Sequence, residues 1–386
     1  MINLFLFLSL MFLLTFLLGK AVEKIRVPWI FAALILGSLL GVYNPFPFDP
    51  VSPEFNFLAK LGMYFLLFVV GFELDLKELK GKSKFIVKGT FFIIFLEAFF
   101  GTLLVYFVFG LDLIVSFLVA LSFATVGEAV LIPILDEFRI INTKLGQSII
   151  GIGALDNIIE VFTLVLAAVL VGSSTYTRFN IGIVLLSLFF LFILTVGLTR
   201  LKEEGKQFNV LNIETLFLFV IFILFLFIGI GEYADSAALA ALLAGVSLKT
   251  FVPSKRLKLI ESEVKTMCYG FFAPVFFLWV GFSMDMKYVI SYPLLVLLVV
   301  LISNGSKLLG SYIIGRKELG NKQSLLLGFG LSVRFSTSIV IIKILFESGF
   351  VHAGLYSVII ASTVVFTFLV PVLFSHLLVK WKIGKK

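Results

Sequence analysis

Apolar runs of about 18 residues or more recur along the whole chain, starting with Ile2 to Gly19, and this constrains the fold more than any motif. A run of that length, coiled at 1.5 Å per residue, spans the hydrocarbon core of a bilayer. Inside lipid every backbone N–H and C=O must be paired within the protein, which leaves helices or closed barrels. A barrel needs short segments of alternating polarity, and these are absent. With 60% hydrophobic residues, 14% charged residues and a mean hydropathy of +1.15, the chain is read as an all-α polytopic membrane protein. The length rule places thirteen spans, at roughly 2–19, 27–43, 56–72, 85–109, 112–136, 144–171, 180–199, 212–230, 232–248, 265–283, 288–314, 321–348 and 353–379.

The net charge of +8 follows the same topology. Alternate connections hold most of the 31 Lys and Arg, including Lys20, Lys24, Arg26, Arg139, Lys144, Arg316, Lys317, Lys380 and Lys382. The connections on the other side hold only Arg178 and Lys287. Basic loops stay cytoplasmic, so the N-terminus is expected outside and the C-terminus inside, in the inner (cytoplasmic) membrane. No basic residue precedes the first apolar run, so it is read as a retained span and not as a cleaved signal. The basicity belongs to topology and gives no reason to expect nucleic acid. The one cysteine, Cys268, leaves no intramolecular disulfide. Phosphate loops, zinc spacings and nucleophile motifs are absent, so neither an enzyme nor a cofactor is expected.

Two pairs of segments repeat at one offset. VGFELDLK (Val70–Lys77) matches VGFSMDMK (Val280–Lys287), 210 residues on. ALSFATVGEAVLIPILDE (Ala120–Glu137) matches GLSVRFSTSIVIIKILFE (Gly330–Glu347) at the same 210 without a gap. The offset moves by seven spans, an odd number, so the copies are inverted across the membrane. Inverted-topology repeats mark secondary transporters, whose sites lie near the midplane at discontinuous helices. The chain therefore reads as one transmembrane transporter domain over 1–386, with repeat one at about 1–171, a linker helix at about 180–199 and repeat two at about 212–379. No cytosolic regulatory domain is expected. The fifth and twelfth spans are the expected crossing discontinuous pair. Gly127 and Pro133 interrupt the first beside Thr125 and Glu128, and the second carries Ser332, Arg334, Ser336, Thr337 and Ser338 at matching depth. The simpler alternative is a kinked continuous helix with back-bonding hydroxyls.

Seven ionisable residues fall at membrane depth: Glu97, Glu128, Asp156, Glu160, Lys307, Arg334 and Lys343. A charge there costs about 2.5–3.5 kcal/mol even on the insertion scale, so each needs a partner or a purpose. Asp156 and Glu160, in GALDNIIEVF, are four apart and share a helix face, where two carboxylates call for a cation or a proton. Lys307 is the natural amine for Asp156, as a switch released on cation binding or as a permanent bridge. Arg334 and Glu128 lie on opposing broken helices, which makes Glu128 either a structural partner of Arg334 or a cation ligand. Glu97 is the offset equivalent of Lys307 and could be its symmetric partner or an acid bonded to hydroxyls. His352 and His376 flank the last span and are read as interfacial.

Several segments resemble those of the monovalent cation:proton antiporters, especially the bacterial Na⁺/H⁺ antiporter and K⁺-efflux branch. They are RVPWIFAALILGSLLG, LFVVGFELDLKEL, FFAPVFFLWVGFSMD, SNGSKLLGSYIIG and GFGLSVR, and the resemblance covers nearly the whole chain. It implies two crossed broken helices beside a dimerisation domain, a homodimer in lipid, elevator-like movement and exchange of Na⁺ (or Li⁺, K⁺) for H⁺. It also implies that Asp156 is the first acid of the family's adjacent pair, partnered by Lys307. Asn157 stands where the ion-binding Asp is found. The missing carboxylate would then come from Glu128 or Glu160, with Thr125 and Asn157 as neutral oxygen ligands. Asp156, Asn157 and Glu128 would hold the transported Na⁺. A Na⁺-coupled symporter of an organic anion is the alternative, suggested by Arg334 and by Asn157 in place of the Asp.

Overall fold

The computed structural model describes residues 3–25, 27–46, 49–50, 52–74, 83–127, 131–174, 189–190, 193–197, 212–233, 236–251, 254–334 and 336–384. Glu128 and most of the expected linker helix at 180–199 lie outside the described residues.

Among the described residues the protein is helical throughout, and eight helices are long and apolar enough to cross a membrane. The helices are α1 (Leu4–Glu23), α2 (Phe31–Val42), α3 (Pro53–Glu73), α4 (Lys84–Phe109), α5 (Leu113–Phe123), α6 (Ile132–Glu137) and α7 (Lys144–Ser174). After these come α8 (Ile213–Glu232), α9 (Ala237–Phe251), α10 (Ser254–Met267), a π-turn (Cys268–Phe272) and α11 (Ala273–Phe282). The last four are α12 (Met286–Ser291), α13 (Pro293–Gly330), α14 (Ser336–Glu347) and α15 (Ala353–Trp381).

Two compact units divide these elements. One comprises 1–8, 46–75 and 164–279, and the other 9–45, 76–163 and 280–386, so each draws on both expected repeats. In the first unit α3 lies against α9 at backbone distance. A Cβ on Gly71 would sit 2.1 Å from the Leu242 carbonyl oxygen, and one on Gly245 would sit 2.2 Å from that of Phe68. Small residues on both faces permit this approach, the usual way lipid-embedded helices gain packing when lipid is as apolar as their side chains.

The second unit carries both expected breaks. Helix α4 starts at Ser83, whose hydroxyl accepts the Ile86 N–H, and stops at Gly110 in the left-handed region (φ 69°). This frames a long span with Glu97 near its middle. The fifth expected span is broken: α5 stops at Phe123, residues 124–127 are not helical, and α6 begins at Ile132 with Pro133 in its first turn. The twelfth is broken too, ending as α13 at Gly330 and resuming as α14 at Ser336. Its first half lies within α13 after the eleventh expected span, from which a non-helical kink at Gly320 separates it (φ 77°, ψ 169°).

The two breaks meet through their backbones, since the Gly127 N–H donates to the Val333 carbonyl at 2.6 Å. Val126, Leu131, Ile134, Leu135, Leu327, Leu331, Val333 and Phe366 pack in one buried cluster around them. Unwound backbone at membrane depth is tolerated when protein covers it, and here it is covered. Back-bonding also occurs, from the Ser122 hydroxyl to Val119 O at 2.7 Å, but beside the break and not in place of it.

Candidate functional site

A helix break leaves amides and carbonyls without helical partners, and in lipid nothing else will satisfy them. Charged side chains do so here. Asp156, on α7 and 1% exposed, accepts the Val126 N–H through Oδ2 at 2.5 Å. Lys307, on α13 and fully buried, donates from Nζ to Thr125 O at 2.8 Å and to Leu331 O at 2.6 Å. Those carbonyls stand just past the C-terminal ends of α5 and α13. A cation there neutralises the negative ends of two helix dipoles at once, and the carboxylate does the converse for a free amide.

The ion pair the structure gives Lys307 is with Glu97, whose Oε2 lies 3.3 Å from Nζ. Glu97 Oε1 accepts from the Ser303 hydroxyl and lies 3.4 Å from Arg334 Nη2, which also donates to the Ser303 hydroxyl. The Arg334 guanidinium stacks over two rings, with its carbon 4.5 Å from the Phe366 centroid and 5.1 Å from that of Phe123. The Ser332 hydroxyl stands 2.9 Å from both Asn304 Oδ1 and Gly328 O. Among the described residues, Arg334 meets Glu97 and Ser303 through Nη2, while its buried Nε and Nη1 have no hydrogen-bond partner. Its expected partner Glu128 is undescribed.

The remaining sequence candidates are distributed as follows. Thr125 is buried at the break, its hydroxyl 3.4 Å from Ser122 O. Asn157 is half-buried next to Asp156, and Glu160 is buried one turn further along α7. Ile159 on that stretch packs against Ile94, Ala98, Leu121 and Ala124, which brings this part of α7 to α4 and α5. Lys343 is engaged by the Ser283 hydroxyl at 2.6 Å and by Glu347 at 2.8 Å. His352 caps α15, its Nδ1 accepting the Leu355 N–H at 3.2 Å, and burial holds its imidazole below the usual range. Ser303 was not singled out by sequence. Its signal was there, since it lies four residues before Lys307 and so on the same helix face.

The family model described as "Sodium/hydrogen exchanger, transmembrane" matches residues 10–380. The chain belongs to the sodium/hydrogen exchanger family. Among similar proteins, "Probable Na(+)/H(+) antiporter 3" of Methanocaldococcus jannaschii is 28% identical over 381 residues, covering 96% of this chain and 95% of that one. "Na(+)/H(+) antiporter" of Enterococcus hirae is 25% identical over 368 residues, covering 92% of each. The fold of this exchanger matches the solved sodium proton antiporter MjNhaP1 of Methanocaldococcus jannaschii at pH 8. That match has a TM-score of 0.60 at 19% identity and covers 97% of this chain and 96% of the other. The crossed breaks, the buried acids and the buried bases all fall within the segment that the exchanger family model matches.

Proposed function

We propose that this exchanger moves Na⁺, with Li⁺ and K⁺ as further candidates, against H⁺ by alternating access, and that Asp156 is the carboxylate that exchanges one for the other. The observation carrying this is Asp156 Oδ2 on the Val126 amide inside a helix break. There a buried carboxylate is oriented by the backbone and stands beside unwound carbonyls suited to a partly dehydrated cation. Thr125 and Asn157 supply neutral oxygens. The second carboxylate, which Asn157 lacks, comes from Glu160 or Glu128. The names of the relatives in Methanocaldococcus and Enterococcus support Na⁺ and H⁺. Arg334 stacked between rings and joined to Glu97 supports exchange over the uptake of an organic anion.

The same proposal includes inverted repeats at about 1–171 and 212–379 joined by a linker at about 180–199. It also includes a homodimer in the inner membrane, with the N-terminus outside and the C-terminus in the cytoplasm. Everted membrane vesicles test the activity. Adding Na⁺ should dissipate a preformed pH gradient, Asp156→Asn should abolish the response, and at least one of Glu160→Gln and Glu128→Gln should do the same. No response to Na⁺, Li⁺ or K⁺ between pH 6.5 and 9 rejects exchange. Full activity in both glutamine variants rejects the relocated carboxylate.

A further inference from the structure

The family resemblance pairs Lys307 with Asp156, but the contacts around the amine point to another acid. An ammonium carries three N–H donors. Two of them go to Thr125 O and Leu331 O at 2.8 and 2.6 Å, and Glu97 Oε2 stands 3.3 Å from Nζ as its ion-pair partner. Glu97 is itself anchored from two sides, because its other oxygen takes the Ser303 hydroxyl and faces Arg334 Nη2 at 3.4 Å. Glu97, Lys307 and Arg334 are fully buried and Ser303 is 1% exposed, so water does not weaken these contacts. The acid sits on α4, the amine and the hydroxyl on α13, and the guanidinium at the second break. One carboxylate therefore ties α4 to α13 and to the second break.

We propose that Glu97 is a positioning residue: it holds the Lys307 amine on the break carbonyls and so keeps it from competing with the transported cation for the Asp156 carboxylate. A lysine ammonium and a sodium ion are both monocations seeking carboxylate oxygens. Without Glu97, Lys307 and Arg334 become two buried cations short of an acid, and Asp156 is the carboxylate already bound to the other side of the same peptide unit, whose carbonyl is Thr125 O and whose amide is Val126 N. The amine would then be drawn to the acid that the cation uses. This inference rests on the exchange reading above.

Its test uses the full-length protein purified and reconstituted, with the Na⁺ dependence of proton flux measured at fixed pH. Glu97→Gln is expected to raise KM for Na⁺ by about fivefold or more with a smaller effect on kcat, the pattern of a competitor for the ion site. The Glu97→Gln/Lys307→Gln double variant removes the competitor and is expected to bring KM back to within about threefold of wild type, a coupling that only interacting residues show. Glu97→Asp keeps the charge and should stay near wild type. A purely structural pair would lower the active fraction at unchanged KM, and the second substitution would not relieve it.

A structure of the Glu97→Gln protein gives a readout independent of transport. The Lys307 amine should leave Leu331 O and lie within about 3.5 Å of the Asp156 carboxylate. An unchanged KM in Glu97→Gln overturns the proposal, and so does an amine still seated on Thr125 and Leu331. If the single variant does not fold, the double variant decides alone, and a KM more than about fivefold above wild type refutes the positioning role. If wild type shows no Na⁺-dependent flux, the exchange reading fails, while the amine's position in the variant structure still judges Glu97.

Discussion

Replacing Lys307 with methionine keeps the length and apolar stem of the side chain and deletes its charge, which isolates what the ammonium does. Thr125 O and Leu331 O lose their donor, and Glu97 loses the ion pair at 3.3 Å. An orphaned buried carbonyl costs about 1–3 kcal/mol, and there are two of them. Glu97 keeps Ser303 and Arg334, so its share is smaller than that of a fully abandoned charge. The sum falls in the range of about 3–5 kcal/mol measured for breaking one side of a buried ion pair. One kcal/mol moves a melting midpoint by roughly 2–4 °C in a domain of a few hundred residues, so a fall of at least about 6 °C is expected. Thermal unfolding of the detergent-purified protein at pH 7.5 measures it. Combining Lys307→Met with Glu97→Gln should recover part of the loss, because the acid no longer lacks its cation. A melting point within about 2 °C of wild type for the single variant would falsify the view that this amine secures the breaks.

Other expectations follow from the packing and from the exposed ends of the helices. Gly71→Ala places a methyl 2.1 Å from the Leu242 carbonyl oxygen, where backbone must give way, and should destabilise the protein by about 1–3 kcal/mol in the same unfolding assay. His352 caps α15 only while Nδ1 is unprotonated, and burial holds its imidazole below the usual range. Its contribution is therefore complete above the unfolded value of about 6.5 and is lost as pH falls through the lower folded value. Melting points between pH 7.5 and 5 should fall more steeply in wild type than in His352→Asn, whose side-chain oxygen can cap without titrating. Parallel curves would remove His352 from the pH response.

Much of the scaffold was legible because a bilayer imposes a length rule on every span, and the 18-residue apolar runs obey it. The breaks in the fifth and twelfth spans were legible for a separate reason: Gly127 with Pro133 and the Ser332–Ser338 stretch fell at one repeat offset. The boundary between the eleventh and twelfth expected spans, 314 to 321, was legible, and the non-helical Gly320 falls in it, although Arg316, Lys317 and Glu318 stay helical up to that kink. Partner choice at the site was the least visible part. Sequence could place Glu97, Lys307, Arg334 and Asp156 at similar depth. Which acid meets which base depends on the rotation of α4 against α13, and periodicity does not specify that. Ser303 escaped notice because a serine in a membrane helix is ordinarily satisfied by its own backbone, as Ser306 is by Ile302 O.

Exchange of cation for proton at the Asp156 carboxylate is open to direct measurement. Proteoliposomes holding the purified protein, with an imposed pH gradient, provide the most direct measurement of radioactive Na⁺ uptake. Wild type should take up Na⁺ in proportion to the gradient, and Asp156→Asn, which keeps an oxygen for the Val126 amide, should reduce uptake to that of empty liposomes. Gradient-driven uptake by Asp156→Asn at a rate comparable to wild type would rule out Asp156 as the exchanging carboxylate.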